Sequence, residues 1–237
     1  MATELQKEKA SPFADFPRDT GAAEARFVKA SDRIVRINVD GRTLVKLGAG
    51  IAHYGDIKFN RLPPLKAKGI SEKLLRMVTP LVSVEGKGTV YCARQGWRVR
   101  IVTLTGGTVN VAAEELLAFE DSLAFDVFMV GVGISVASGG IFAVKLSGTG
   151  SLAIAVHGDP MVLPVTAEND LRTDPHATVA WTDGLVPTLS TDLSWRSLIG
   201  KGGGEAFEMH FAGTGEVVVQ PSEDKAKFTY KKIKALI

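Results

Sequence analysis

The chain has 237 residues, of which 45% are hydrophobic and 23% charged, and its formal net charge is +2. That balance excludes wholesale disorder and is enough to bury a real core in one large domain or two small ones. The single cysteine, Cys92, excludes an internal disulfide. The chain has no CxxC or zinc-ligand spacing and no apolar stretch behind a basic start, so a reducing, cytoplasmic setting is expected, with peripheral contact to a membrane left open.

Residues 1–25 carry five acids (Glu4, Glu8, Asp15, Asp19, Glu24) against Lys7, Lys9 and Arg18. They show neither alternation nor a helical stripe, and read as a mobile leader. Residues 26–223 are neutral overall, which argues against a nucleic-acid partner, since such domains display a basic face with interleaved aromatics. This body is read as one domain. Val39-Asp40-Gly41 reads as the end of a short strand and a turn, followed by a first element, Ala52-His53-Tyr54-Gly55-Asp56-Ile57-Lys58-Phe59. An irregular insertion runs from Asn60 to Met77, with Pro63-Pro64 and a short helical patch, Ser71 to Met77.

Gly86-x-Gly88 then sits inside an apolar alternation with Val82, Val84, Val90 and Cys92. The same pattern recurs at Gly148-x-Gly150, with Val144, Leu146, Leu152 and Ile154, and at Gly213-x-Gly215, with Met209, Phe211, Val217 and Val219. A period of two marks half-buried strands, and glycines within such a pattern mark a bulge or corner. The first element also recurs, as Ala118 to Phe125 behind Leu104-Thr105-Gly106-Gly107, and as Ala180 to Leu185. A unit of about 60 residues repeated three times predicts an all-β single domain with pseudo-threefold symmetry. The uncharged run from Val127 to Val144 reaches membrane-helix length. Its four glycines and its β-branched residues make it strand, turn at Ser138-Gly139-Gly140, and strand.

LTGGTVNV, AFEDSLAFDV, FAVKLSGTGSLAIAV, DPHATVAW and FEMHFAGTGEVVVQP, in this order over roughly residues 27–222, resemble the altered inheritance of mitochondria twenty-four family. The resemblance implies a fold similar to the trp RNA-binding attenuation protein, of double-stranded β-helix type. It also implies a link to mitochondrial biogenesis through relatives associated with inner-membrane architecture. No catalytic residue comes with it. Where family members carry Gly-Glu-Gly, this chain has Ser138-Gly139-Gly140 and Gly203-Gly204-Glu205-Ala206.

Candidate chemistry reads as structural. His53 takes the place of Phe119 and Trp181 and is expected as a half-buried packing ring. His210 is expected to face solvent, and His157 and His176 fall in turns. No His-x-His metal motif occurs. Glu114-Glu115 and Glu120-Asp121 read as solvated turn acids, since adjacent acids on a strand point to opposite faces. Cys92 reads as a core side chain. Gly200 to Gly204 lacks phosphate-loop order, and Gly131 to Ala137 lacks the last glycine of a nucleophile elbow.

The expected function is therefore a non-enzymatic scaffold or interaction module, without cofactor or metal. The alternative is a small-ligand binder in a β-helix cavity. The surface expected to carry contacts is Trp195 and Arg196, in the irregular stretch from Ser190 to Gly204, together with Lys231, Lys232 and Lys234 of the basic tail, residues 224–237. That tail carries +4 and mixes lysines with apolar side chains, which suits an anionic membrane surface, a protein partner or the protein's own core, while unpaired strand edges suit a homo-oligomer.

Overall fold

The computed structural model describes residues 18–19, 21, 24–63, 79–131, 141–190 and 208–221. Every element among them is a strand: β1 (Phe27–Ser31), β2 (Ile34–Lys46), β3 (Gly50–Arg61), β4 (Leu81–Cys92), β5 (Arg98–Ala112), β6 (Leu116–Glu120), β7 (Ala124–Val130), β8 (Ile141–Val156), β9 (Met161–Val165), β10 (Leu171–Thr173), β11 (Thr178–Thr182), β12 (Thr188–Ser190), β13 (Glu208–Phe211) and β14 (Gly215–Val219). All pairings between these strands are antiparallel. Eleven strands form one sheet with the path β3-β4-β2-β6-β8-β5-β11-β14-β9, to which β1 adds on β2 and β7 on β8. A second sheet runs β10-β13-β12. The domain is thus single and all-β.

The alternation read from the glycine-centred strands decides which side chains are inside. Val84, Val90, Cys92, Val144, Leu146, Leu152, Ile154, Met209, Phe211 and Val217 are buried, whereas Val82 and Val219 are half-buried. They contribute to three apolar clusters centred on β2 and β4, on β6 and β8, and on β11, β13 and β14. Within the uncharged run, residues 127–130 and 141–144 pair as strands, as expected: Val127 faces Val144 and Val130 faces Ile141 across β7 and β8. The predicted turn at 138–140 and the helical patch at 71–77 lie outside the described residues.

The turns expected at Gly41 and at Gly106-Gly107 are instead points inside long strands. β2 and β5 continue through them without a break, with φ of 93° at Gly41 and 81° at Gly106. Each lies near a glycine of the neighbouring strand, since Gly41 pairs with Gly86 and Gly107 with Gly148. The chain therefore bends a whole ladder at once. The ladders of β4 with β2 and β3 keep register through Gly86 and Gly88, so no extra residue is inserted there. Beside Gly148 the irregularity sits on the partner, between Thr105 and Gly107. At Gly213 (φ 112°) the bend separates β13 from β14 and passes the chain from the small sheet to the large one.

Of the four acids, Asp121 is an exposed turn residue as expected, whereas Glu115 is not. Glu115 is fully buried, because its turn lies beneath β8: its carbonyl accepts from Ala155 N at 2.8 Å, and its Oε1 accepts from Gln220 Nε2 at 3.5 Å. Lys46 Nζ closes the same turn by donating to the carbonyls of Ala113 (2.9 Å) and Glu114 (2.8 Å). Glu120 Oε1 accepts from Ser151 N at 2.9 Å, and Asp121 pairs with Arg42 at 3.1 Å.

Candidate interaction surface

β3 ends the large sheet and pairs with β4 over almost its whole length. Its apolar side chains are nonetheless in water: Ile51 is 55% exposed, Tyr54 71% and Phe59 49%, with Leu47 just before the strand at 64%. Only Ile57 of the twelve residues is partly covered, against the β2/β4 cluster. A strand with both faces and one edge open is the arrangement that sheet proteins usually blunt or cover.

The strand is also sharply bent. His53 and Phe59 share a face and would lie about 20 Å apart on a flat strand. Their ring centroids are 5.5 Å apart, edge to face. Three glycines permit the bend by letting backbones touch. A Cβ at Gly88 would stand 2.1 Å from the Tyr54 carbonyl oxygen, one at Gly86 2.1 Å from that of Asp56, and one at Gly55 2.5 Å from that of Lys87. The result is a concave corner presenting His53 and Phe59 on the inside and Tyr54 on the outside.

The stretch Ala118–Phe125, similar in sequence, turns a corner between β6 and β7 that is covered. Phe119 and Phe125, also six residues apart, meet at 5.2 Å, and Phe119 is fully buried. Trp181 on β11 is buried against Phe128 and Phe211. His53 therefore does not pack as a half-buried ring. It sits where two aromatic residues are inside, but on an end strand that no described segment covers.

On the outer face, Tyr54 stacks edge-on against Tyr91 at 6.2 Å, and Tyr91 Oη donates to Asp19 Oδ2 at 2.9 Å. Arg36 Nη1, almost wholly buried, donates to Asp19 Oδ1 at 2.6 Å. The Gly21 amide and the Tyr91 hydroxyl, together with the Arg36 charge, hold the Asp19 carboxyl below its ordinary 3.8, while burial and that same carboxylate push the Tyr91 phenol up. A lowered carboxyl pKa stabilises the fold above the unfolded value and loses that contribution as pH falls through the folded one. Asp19→Asn is therefore expected to lower the melting temperature at neutral pH. The gap to the parent should close on acidification below pH 3.8, which a series of thermal melts reads; a gap independent of pH would refute the pairing.

The other candidates are structural. His210 Nε2 meets Asp170 Oδ2 at 2.9 Å and is about a quarter exposed. His157 packs its ring against Trp97 at 5.6 Å, and His176 lies in a turn where its amide donates to Asp174 Oδ1 at 2.7 Å. Cys92 is buried and its thiol is pushed up to about 12 by desolvation, the reverse of an activated nucleophile. Among the described residues no group of three His, Cys, Asp or Glu side chains could hold a metal ion, and no helix is long and apolar enough to cross a membrane. Trp195, Arg196, Lys231, Lys232 and Lys234 lie outside the described residues.

Sequence reasoning missed Ile51, Tyr54 and Phe59, and with them Met161 (62% exposed) and Val162 (54%) on β9 at the other end of the large sheet. A signal was present in His53. It is a polar ring where two similar stretches of the sequence carry Phe119 and Trp181, and it stays in water.

An open, all-β antiparallel sheet with an exposed bent edge defines the class of protein. The family model described as "Mitochondrial biogenesis AIM24" matches residues 25–222, and the chain belongs to that family. In fold it is similar to the crystal structure of protein SPYM3_0169 from Streptococcus pyogenes, with a TM-score of 0.63 and 17% sequence identity over 89% of this chain and 98% of that one. No curated protein matches the chain.

Proposed function

We propose that this chain is a non-enzymatic interaction module, assembled from three copies of one β unit, whose contact surface is the exposed edge and concave corner of β3. The observation that carries it is the burial of β3: an end strand of twelve residues keeps Ile51, Tyr54 and Phe59 in water. Exposed apolar groups of this size on an open edge are typical of partner-binding strands. The repeat reading is supported by register. His53 faces Val90, Phe119 faces Leu152 and Trp181 faces Val217, each opposite the residue two places beyond the second glycine. The basic tail adds charge suited to an anionic membrane surface, where each lysine contributes roughly 1 kcal/mol of attraction.

A photo-cross-linking amino acid at Tyr54, with one at exposed Asp183 as control, tests the surface in intact cells. Macromolecular adducts at position 54 and not at 183 are expected; none at 54 sinks the reading. Flotation on anionic vesicles of the full chain, lost when it ends at Glu223, is the expected signature of the tail.

A further inference from the structure

We propose that copies of this chain join end to end, the free edge of β10 in one copy pairing with residues 52–54 of β3 in the next. This rests on the repeated-unit reading above and names its partner: a second copy. The chain already makes this junction twice within itself. Thr43, Leu44 and Val45 of β2 face Glu120, Phe119 and Ala118 of β6. Val109, Asn110 and Val111 of β5 face Thr182, Trp181 and Ala180 of β11. Both triplets offer one edge to the next unit while the other edge holds the glycine-centred strand, with Thr43 opposite Val84 and Val109 opposite Leu146.

The third unit contains the same triplet. Leu171, Arg172 and Thr173 face Phe211, His210 and Met209, and Phe211 stands two residues before its first glycine, as Val84 and Leu146 do. β10 ends the small sheet, so its outer edge has no strand on it among the described residues. The matching receiver in the first unit is Ala52-His53-Tyr54, since His53 holds the place of Phe119 and Trp181. It too lies on an end strand. The internal register then sets the contact between copies: Leu171 with Tyr54, Arg172 with His53, Thr173 with Ala52.

Apolar exposure is placed accordingly. Tyr54 lies in the receiver and Ile51 and Phe59 flank it, and Met161 and Val162 lie on β9, just ahead of β10 in the chain. Donor and receiver are different surfaces, so each copy uses both. The contact is head to tail, and growth continues until a ring closes.

His53→Cys and Arg172→Cys are made as separate full-length chains carrying tags of different mass, mixed, and oxidised mildly. Both sites are exposed, and buried Cys92 stays silent in the native fold; Arg172 also pairs with buried Glu208 at 3.2 Å, so the melting temperature of Arg172→Cys is checked against the parent first. Several-fold more mixed two-chain disulfide is expected than from Arg172→Cys with Asp183→Cys. Sedimentation velocity of the unmodified chain is expected to give a mass that rises with concentration. An intrachain disulfide in the double variant would mean that the ends meet within one molecule, and overturns the proposal. So does a one-chain mass from micromolar to millimolar concentration. Either result, together with foreign adducts at position 54, leaves the interaction-module reading standing.

Discussion

Gly86→Ala is expected to cost about 4 kcal/mol or more, which places it among the rare severe single substitutions. Two effects add. The backbone at Gly86 has φ 123°, which a side chain adopts at a cost of about 1–3 kcal/mol. The new Cβ would also fall 2.1 Å from the Asp56 carbonyl oxygen, which belongs to a backbone and cannot swing aside. β3 would have to lift from β4 at its corner. Two other glycines separate the causes. Gly41 has φ 93° and open space around its Cβ direction, so Gly41→Ala should show the conformational cost alone, roughly 1–3 kcal/mol. Gly88 lacks the positive φ but meets the Tyr54 carbonyl oxygen at 2.1 Å, so Gly88→Ala isolates the clash. Urea unfolding of the three variants measures this order directly. If Gly86→Ala unfolds with the parent midpoint, the tight corner between β3 and β4 is wrong.

Phe119→Ala is expected to destabilise by about 3–5 kcal/mol, whereas Phe59→Ala, in the exposed corner of β3, should stay within about 1 kcal/mol. Each ring belongs to an edge-to-face pair of similar geometry, with centroids at 5.2 Å in one corner and 5.5 Å in the other. The difference is cover. Phe119 is fully buried between β2 and β8, and truncating it leaves a cavity lined by the largest apolar cluster; Phe59 is 49% exposed, and truncating it opens space already reached by water. Equal losses for the two variants, read by the same unfolding curves, would show that something covers β3 in solution.

Local pattern carried most of the strands. The alternation around Gly86, Gly148 and Gly213 placed ten of its apolar positions inside, because a period of two assigns a face without knowledge of neighbours. The apolar run from Val127 to Val144 was legible as strands for the same reason: glycine and β-branched residues weigh against a helix whatever surrounds them. Gly41 and Gly106 were misjudged as turns, since a glycine at a sheet corner and a glycine in a hairpin have the same local signature. Burial of Glu115 was not legible, and exposure of His53 only as a polar ring where two similar stretches carry Phe119 and Trp181. Each depends on which strand lies alongside, and sheet order joins residues as distant as Thr43 and Glu120 or Asn110 and Trp181. The pairing of Thr43–Val45 with β6 and of Val109–Val111 with β11 was hidden for this reason too.

The order of strands along the large sheet also has a consequence during synthesis. β2, β3 and β4 can complete their ladder once Cys92 has left the ribosome, yet the Thr43–Val45 edge of β2 finds its partner only when Glu120 emerges. At about 5–20 residues per second this leaves a bare strand edge for a few seconds. The same interval recurs at Val109–Val111, which waits for Thr182. Neighbouring nascent chains on one messenger expose the same edges in that interval, so the seam is the part of the sheet most open to pairing with the wrong chain.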